Sequence, residues 1–197
     1  RIPAKAVFCG EDFRFGKDAA GTPALLKERA PCPVTVLPLA ALGGEKIAVT
    51  RIKQLLSEGE IGKVNALLCT PYFVRGVAEH GRAVGRTYGF PTANLRLPSG
   101  KFPLKEGVYA ARARLERGEE YPAIVNFGPC PTFGVEARKT EAHLVGFQGD
   151  LYGEEVTLFP VRLLRPVRKF QSKEALEKQL EADRTAALGL VGAKEEK

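Results

Sequence analysis

The spacing of hydrophobic residues changes along this chain, and the changes divide it. Ala6-Val7-Phe8-Cys9 is a short apolar run that breaks at Gly10, the pattern of a buried strand running into a loop. Val34-Thr35-Val36-Leu37, bracketed by Pro33 and Pro38, predicts a second strand, and residues 23–29 predict an intervening helix with proline near its start. Residues 1–46 therefore read as pieces of an α/β fold. From Thr50 the spacing turns helical. Ile52, Leu55 and Leu56 recur at i, i+3 and i+4, and Gly59 marks the end; Ile61, Val64, Leu67 and Leu68 carry a second short helix up to Pro71. This helical pair reads as a connector.

Beyond Pro71 the period becomes two. Residues 72–78 predict a strand, followed by a Gly-rich stretch through Gly89. In residues 108–115, Tyr109, Ala111, Ala113 and Leu115 share one face, while Arg112 and Arg114 share the other. Residues 123–127, 140–147 and 155–164 predict further strands, separated by turn clusters at Gly128-Pro129, Gly149-Asp150 and Tyr152-Gly153. Five or six strands at this spacing predict a small antiparallel barrel or sandwich. Ser172 is placed to cap a last helix with Leu176 and Leu180 one turn apart, and the charged residues 192–197 read as a frayed tail.

Composition narrows the function classes. With 44% hydrophobic residues the chain can bury a core, and no apolar run approaches the roughly 18 residues of a membrane span. Cys9, Cys32, Cys69 and Cys130 form no CxxC pair, which favours free thiols in a cytoplasmic protein over a zinc site or disulfide framework. The net charge of +7 suits an anionic ligand, nucleotide phosphates or nucleic acid. The basic residues are spread out, and the aromatics sit singly in separate motifs, so nucleic acid is the weaker expectation and a membrane surface is not expected. The chain begins at Arg1 and contains no methionine, from which we expect further chain upstream.

The chemistry concentrates in residues 80–94. Gly81, Gly85 and Gly89 recur at spacings of four and would let backbone N–H groups approach phosphate oxygens, with Arg82 and Arg86 adding charge. Pro91 stiffens the exit. Thr92 and Asn94 share a face of an extended segment, and a hydroxyl with an amide oxygen are hard donors suited to Mg²⁺. A plain β-turn explains the glycines equally well. Glu141 lies in Thr140-Glu141-Ala142-His143-Leu144, where alternation puts Glu141, His143, Val145 and Phe147 on one face. Its carboxylate could serve as a general base toward a substrate hydroxyl, against the plainer reading of an exposed glutamate at a barrel rim. His143 reads as structural.

Six segments carry a resemblance: Gly89-Phe90-Pro91-Thr92-Ala93-Asn94-Leu95; Gly107-Val108-Tyr109-Ala110; Asn126-Phe127-Gly128 with Pro131-Thr132-Phe133; Glu141-Ala142-His143-Leu144; Asp150-Leu151-Tyr152-Gly153; and Leu164-Arg165-Pro166 with Lys169-Phe170. In order and spacing they resemble the riboflavin kinase module, and the whole chain resembles the carboxy-terminal part of the bacterial bifunctional riboflavin kinase/FMN adenylyltransferases. The resemblance implies that Thr92 and Asn94 hold Mg²⁺ and the phosphates of ATP, with Gly81, Gly85, Arg86, Gly89 and Pro91 lining the nucleotide. It implies that Glu141 is the catalytic base, and our choices for flavin contacts are Asn126, Phe127 and Arg165. Val167 stands where the family commonly has an acid after the Arg-Pro pair, which puts any contact of that acid in doubt.

The resemblance also implies a division into residues 1–69, the end of a Rossmann-like FMN adenylyltransferase domain with its connector; residues 70–188, the kinase barrel; and a tail, residues 189–197. Gly10-Glu11-Asp12-Phe13-Arg14-Phe15-Gly16 resembles that family's flavin-side loop, which assigns Asp12, Phe13 and Gly16 to it. Thr50-Arg51 sits where its Ser/Thr-rich phosphate segment precedes a helix, with Ala48 and Val49 replacing the usual serines. No His-x-Gly-His loop is present, so the opening of that module is expected upstream. The implied chemistry is riboflavin plus ATP to FMN, followed by FMN plus ATP to FAD. A kinase with a vestigial first module and a basic RNA-binding barrel are the alternatives.

Overall fold

The structure is a computed structural model, described over residues 3–79, 90–98, 103–130 and 135–192, with the side chains of 130 and 135–138 left aside. The chain divides into two compact units, residues 1–49 and 50–197.

In the first unit, strands β1 (Val7–Gly10) and β2 (Val34–Leu37) pair in parallel. A parallel pair needs a crossover, and helix α1 (Pro23–Arg29) supplies it. Thr22 caps α1 by accepting the Leu25 N–H at 3.3 Å, and Pro23 occupies the first turn, where its missing N–H costs nothing. A short hairpin of β3 (Ala41–Leu42) and β4 (Glu45–Lys46) follows; no apolar alternation announced it.

The second unit opens with helices α2 (Val49–Glu58) and α3 (Ile61–Leu67). Gly59 ends α2 at φ 80°, a backbone that glycine adopts without strain. The N–H of Glu60 returns to the Leu55 carbonyl and that of Gly59 to Leu56, which satisfies the last carbonyls of the helix. Six strands then close into a barrel, β5 (Val74–Glu79), β6 (Ala93–Arg96), β7 (Gly107–Leu115), β8 (Glu120–Cys130), β9 (Val135–Leu144) and β10 (Glu155–Arg165), in the order β10-β5-β6-β9-β8-β7. Closure removes the exposed edges that an open six-stranded sheet would present.

The core is the inside of that barrel, completed by the apolar faces of α2 and α3. Tyr109, Ala111, Ala113 and Leu115 of β7 point inward as the alternation predicted, meeting Ala123, Val125 and Phe127 of β8 and Ala142 and Leu144 of β9. Leu56, Ile61 and Val64 join them from the helices. Tyr109 is fully buried, packs edge-on against Phe127 at 5.5 Å, and donates its hydroxyl to the Lys105 carbonyl at 2.8 Å. Burying a tyrosine at so little cost depends on that last bond.

Helix α4 (Lys173–Gly192) lies on the outside of β7, β8 and β10. Ser172 caps it as predicted, its hydroxyl accepting the Ala175 N–H at 3.2 Å. Ala187 sits against Val108, Ala110 and Ile124, with Leu164 and Leu190 around them. This explains why β7 is buried on both faces from Gly107 to Ala111 and opens outward only at Arg112 and Arg114. One correction follows for β9. It ends at Leu144, so Val145 and Phe147 do not continue the face of Glu141; Val145 is buried and Phe147 turns to meet Tyr121 edge-on at 5.4 Å.

The close seat of α4 generates a test. Ala110→Leu should overpack the β7–α4 contact and lower stability by about 1–3 kcal/mol, whereas Ala182→Leu on the exposed side of α4 should stay within about 0.5 kcal/mol. Urea unfolding of both variants checks this; equal effects would contradict the packing.

Candidate active site

The pairing register gathers the predicted site residues into one line. Asn94 faces Glu141 across β6 and β9, Glu141 faces Asn126 across β9 and β8, and Asn126 faces Val108 across β8 and β7. The row continues to Glu79 on one side and to Arg165 on the other. Directly paired residues present their side chains on the same face, with Cβ atoms about 4.5–5.5 Å apart. Because Ala93, Val125 and Ala142 take the inner face, Asn94, Glu141 and Asn126 take the outer one. Three positions separated by up to 47 residues of sequence thus become neighbours on the outer wall of the barrel.

Glu141 is half-buried between two carboxamides. Among the described residues nothing bonds or pairs with its carboxylate, which leaves both oxygens able to accept a proton or a hydrogen bond. The Asn126 amide donates to the Pro129 carbonyl at 3.2 Å, which orients it and ties the end of β8. Thr92 and Asn94 are half-buried; Thr92 immediately precedes β6. The segment leading into Thr92 is held by His143, whose Nδ1 lies 2.8 Å from the Pro91 carbonyl and whose ring tilts against Phe90 at 5.1 Å. Burial, aided by the charge of Arg184 and opposed by the bond to Pro91, holds the His143 pKa below its ordinary value, so the ring is neutral near pH 7.

Two of the chosen flavin contacts have other duties. Phe127 points into the core against Tyr109 and is 4% exposed. Arg165 forms a two-pronged ion pair with Asp183 of α4, Nε to Oδ2 at 3.0 Å and Nη2 to Oδ2 at 2.9 Å. Their side chains are 15% and 3% exposed, and Gln179 donates to Asp183 Oδ1 at 2.8 Å. Asp183 was missed in the sequence, although a signal exists. Leu176, Leu180, Asp183, Ala187 and Leu190 fall on one helical stripe, and an acid at a core position requires a buried partner.

The remaining candidates are dispersed. Gly81, Gly85, Arg86 and Gly89 lie outside the described residues. Asp12, Phe13 and Gly16 belong to the first unit, where Lys46 pairs with Asp12 and holds its carboxyl below the usual range, and where Phe13 stacks on Phe15 at 5.8 Å. Thr50 and Arg51 start α2, in the second unit.

The profile of the family described as Flavokinase: Riboflavin kinase matches residues 68–191. The chain belongs to the riboflavin kinase family. It is 35% identical over 180 residues to the bifunctional riboflavin kinase/FMN adenylyltransferase of Listeria monocytogenes, covering 90% of this chain and 57% of that protein. It is 35% identical over 185 residues to the protein of the same name from Haemophilus influenzae, covering 92% and 60%. Among solved structures, a Streptococcus pneumoniae chain titled as a macrolide-efflux protein superposes with a TM-score of 0.82 at 34% identity, over 93% of this chain and 60% of that one. The chain therefore spans less than two thirds of the length of these relatives. The resemblance drawn from six short segments and the family match agree on the kinase barrel. The row of Asn94, Glu141 and Asn126 lies within the matched region.

Breaking the buried pair tests the role of α4. Asp183→Ala leaves a mostly buried guanidinium without its partner and should cost about 3–5 kcal/mol in urea unfolding. A loss below about 1 kcal/mol would show that α4 does not depend on this contact.

Proposed function

We propose that this chain transfers the γ-phosphoryl group of ATP to the ribityl 5′-hydroxyl of riboflavin, giving FMN and ADP. The observation that carries the reading is the row Asn94, Glu141, Asn126 on the outer wall of a riboflavin kinase barrel, with Thr92 next to it. A carboxylate flanked by neutral amides can take a hydroxyl proton without a competing cation to neutralise it. Glu141 accepts that proton as the hydroxyl oxygen forms its bond to phosphorus and the bond to the ADP oxygen breaks. The rest of the work is positioning, since phosphoryl transfer asks for little covalent help from protein.

Among the described residues no group of three or more His, Cys, Asp or Glu side chains is placed to hold a metal ion. Thr92 and Asn94 offer a hydroxyl and an amide oxygen, a neutral hard-donor set that fits Mg²⁺ arriving with its phosphates better than a resident metal. When bound, the ion would offset the charge of the phosphates. Gly81, Gly85, Arg86, Gly89 and Pro91 are assigned to the nucleotide on the family pattern. Asn126 is assigned to the flavin, with Phe127 supporting its strand from the core and Arg165 fixing the neighbouring end of β10.

Residues 1–69 are assigned to an FMN adenylyltransferase domain with its connector, residues 70–188 to the kinase and residues 189–197 to a tail. In the whole protein the product FMN would then be adenylylated to FAD, with Asp12, Phe13 and Gly16 on the flavin side and Thr50 and Arg51 on the nucleotide side. Two facts support this: the alignments to relatives named for both activities extend over 90% or more of the chain, and the first unit has a parallel βαβ start. No described helix is long and apolar enough to cross a membrane; a cytoplasmic location is our assignment from the unpaired cysteine pattern of the sequence.

Against the RNA-binding alternative stands the family match over residues 68–191. The sequence reading that the aromatics sit singly needs amending, since Phe73 and Phe159 meet at 6.0 Å beneath Arg75, Arg112 and Arg114. Glu155 and Glu120 pair with those arginines at 2.7–3.3 Å, which offsets two of their three positive charges and weakens the patch for a phosphate backbone.

The test is direct. Incubation with riboflavin, ATP and Mg²⁺, resolved by chromatography, should yield FMN. Glu141→Gln should lower kcat by about 10²-fold or more while riboflavin binding, read by flavin fluorescence, stays within a few-fold. Turnover at the wild-type rate would remove Glu141 as the base. Thr92→Ala and Asn94→Ala should each raise the apparent KM for Mg·ATP, and an unchanged KM would contradict their assignment.

A further inference from the structure

The ladder between β6 and β9 is short. It pairs Ala93 with Ala142 and Asn94 with Glu141, and it stops there. Thr92 lies one residue before the first pair, outside the strand. A hydroxyl needed beside phosphate oxygens is thus carried by backbone that the sheet itself does not fix. The contact that extends the hold is the one from His143 to the Pro91 carbonyl, at 2.8 Å, backed by the ring of Phe90.

The chemistry of this contact is determined. A carbonyl oxygen only accepts, so the ring must donate, and the proton of the neutral imidazole is on Nδ1. His143 stands two residues after Glu141 on the same strand, so it shares the outer face with that carboxylate. Its cross-strand neighbour Ile124 sits beneath α4, and Arg184 of α4 acts on it from that side. The imidazole is half-buried on β9, and through it the Pro91 carbonyl is tied to that strand. Strand β9 consequently supplies the carboxylate through one residue and sets the distance from that carboxylate to Thr92 through another.

Resting on the kinase reading above, we propose that His143 is a positioning residue for Mg·ATP: its Nδ1–H bond to the Pro91 carbonyl places the Thr92 hydroxyl relative to Asn94 and Glu141. His143 itself touches no reacting atom. Its loss should let Thr92 drift by a fraction of an ångström to an ångström, and misplacement on that scale is costly in phosphoryl transfer.

Two substitutions separate the bond from the packing. His143→Asn keeps a donor near the place of Nδ1 but removes the ring, and His143→Phe keeps a ring against Phe90 but removes the donor. His143→Phe and His143→Ala should lower kcat/KM for Mg·ATP about tenfold or more while the KM for riboflavin stays within about twofold, and His143→Asn should recover most of the loss. The inference is overturned if Phe is active and Asn is not, if all three match the wild type, or if riboflavin and ATP parameters fall together with the melting temperature.

A second measurement needs no turnover. Nitrogen NMR of the imidazole in the unliganded chain should show the proton on Nδ1 and not on Nε2 at neutral pH; the opposite tautomer overturns the proposal even if every variant folds poorly. An inactive wild-type protein with an Nδ1–H tautomer would instead count against the kinase reading and leave the tie to Pro91 standing as structure alone.

Discussion

The antiparallel register across β6, β9 and β8 is the constraint on which the rest of the site depends. Strand side chains alternate with a period of two, so a slip of one residue would send Asn94, Glu141 and Asn126 into the core and bring Ala142 and Val125 to the surface. The register is set by burial. Ala142 and Leu144 on β9, with Ala123, Val125 and Phe127 on β8, fill the inside of a closed barrel, and that core leaves a charged residue no inward option. The apolar half of each strand thereby aims its polar half.

What stands outside the barrel matters as much as what fills it. Helix α4 covers Val108, Ala110 and Ile124, and it is fixed by Ala187 at close range and by Asp183 on Arg165. A buried ion pair is a poor source of net stability but a good source of register, because a misplaced helix leaves a charge unpaired. Here it locks the last residue of β10, which is the end of the same row that holds Glu141. The arginine at the carboxy-terminal end of the barrel thus ties α4 to β10.

Much of the fold was legible because local signals and tertiary demands agree. The one-sided alternation of β7, Gly59 at the end of α2, Ser172 before α4 and the two strands of the first unit all appear where the pattern placed them. Thr92, Asn94 and Glu141 were identified as candidates, and the structure makes Asn94 and Glu141 direct neighbours. What could not be read is whatever depends on a partner distant in sequence. Val108 and Ala110 are buried by α4, some 75 residues further on, a cover that the alternation of β7 does not announce. Phe127 was chosen for a flavin because it sits in a segment that carries the family resemblance, and the structure points it inward, as alternation with Val125 requires. His143 was read as structural; its bond to Pro91 depends on chain closure between β6 and β9, which no local window contains.

On the kinase reading, substrates meet on the outer wall of the barrel around Asn94, Glu141 and Asn126. Amide NMR shifts followed during titration with Mg·ADP and then riboflavin localise this directly. The largest changes should fall at residues 90–96, 124–128 and 139–143. Changes confined to the opposite outer face, around Phe73, Arg112 and Phe159, would contradict it.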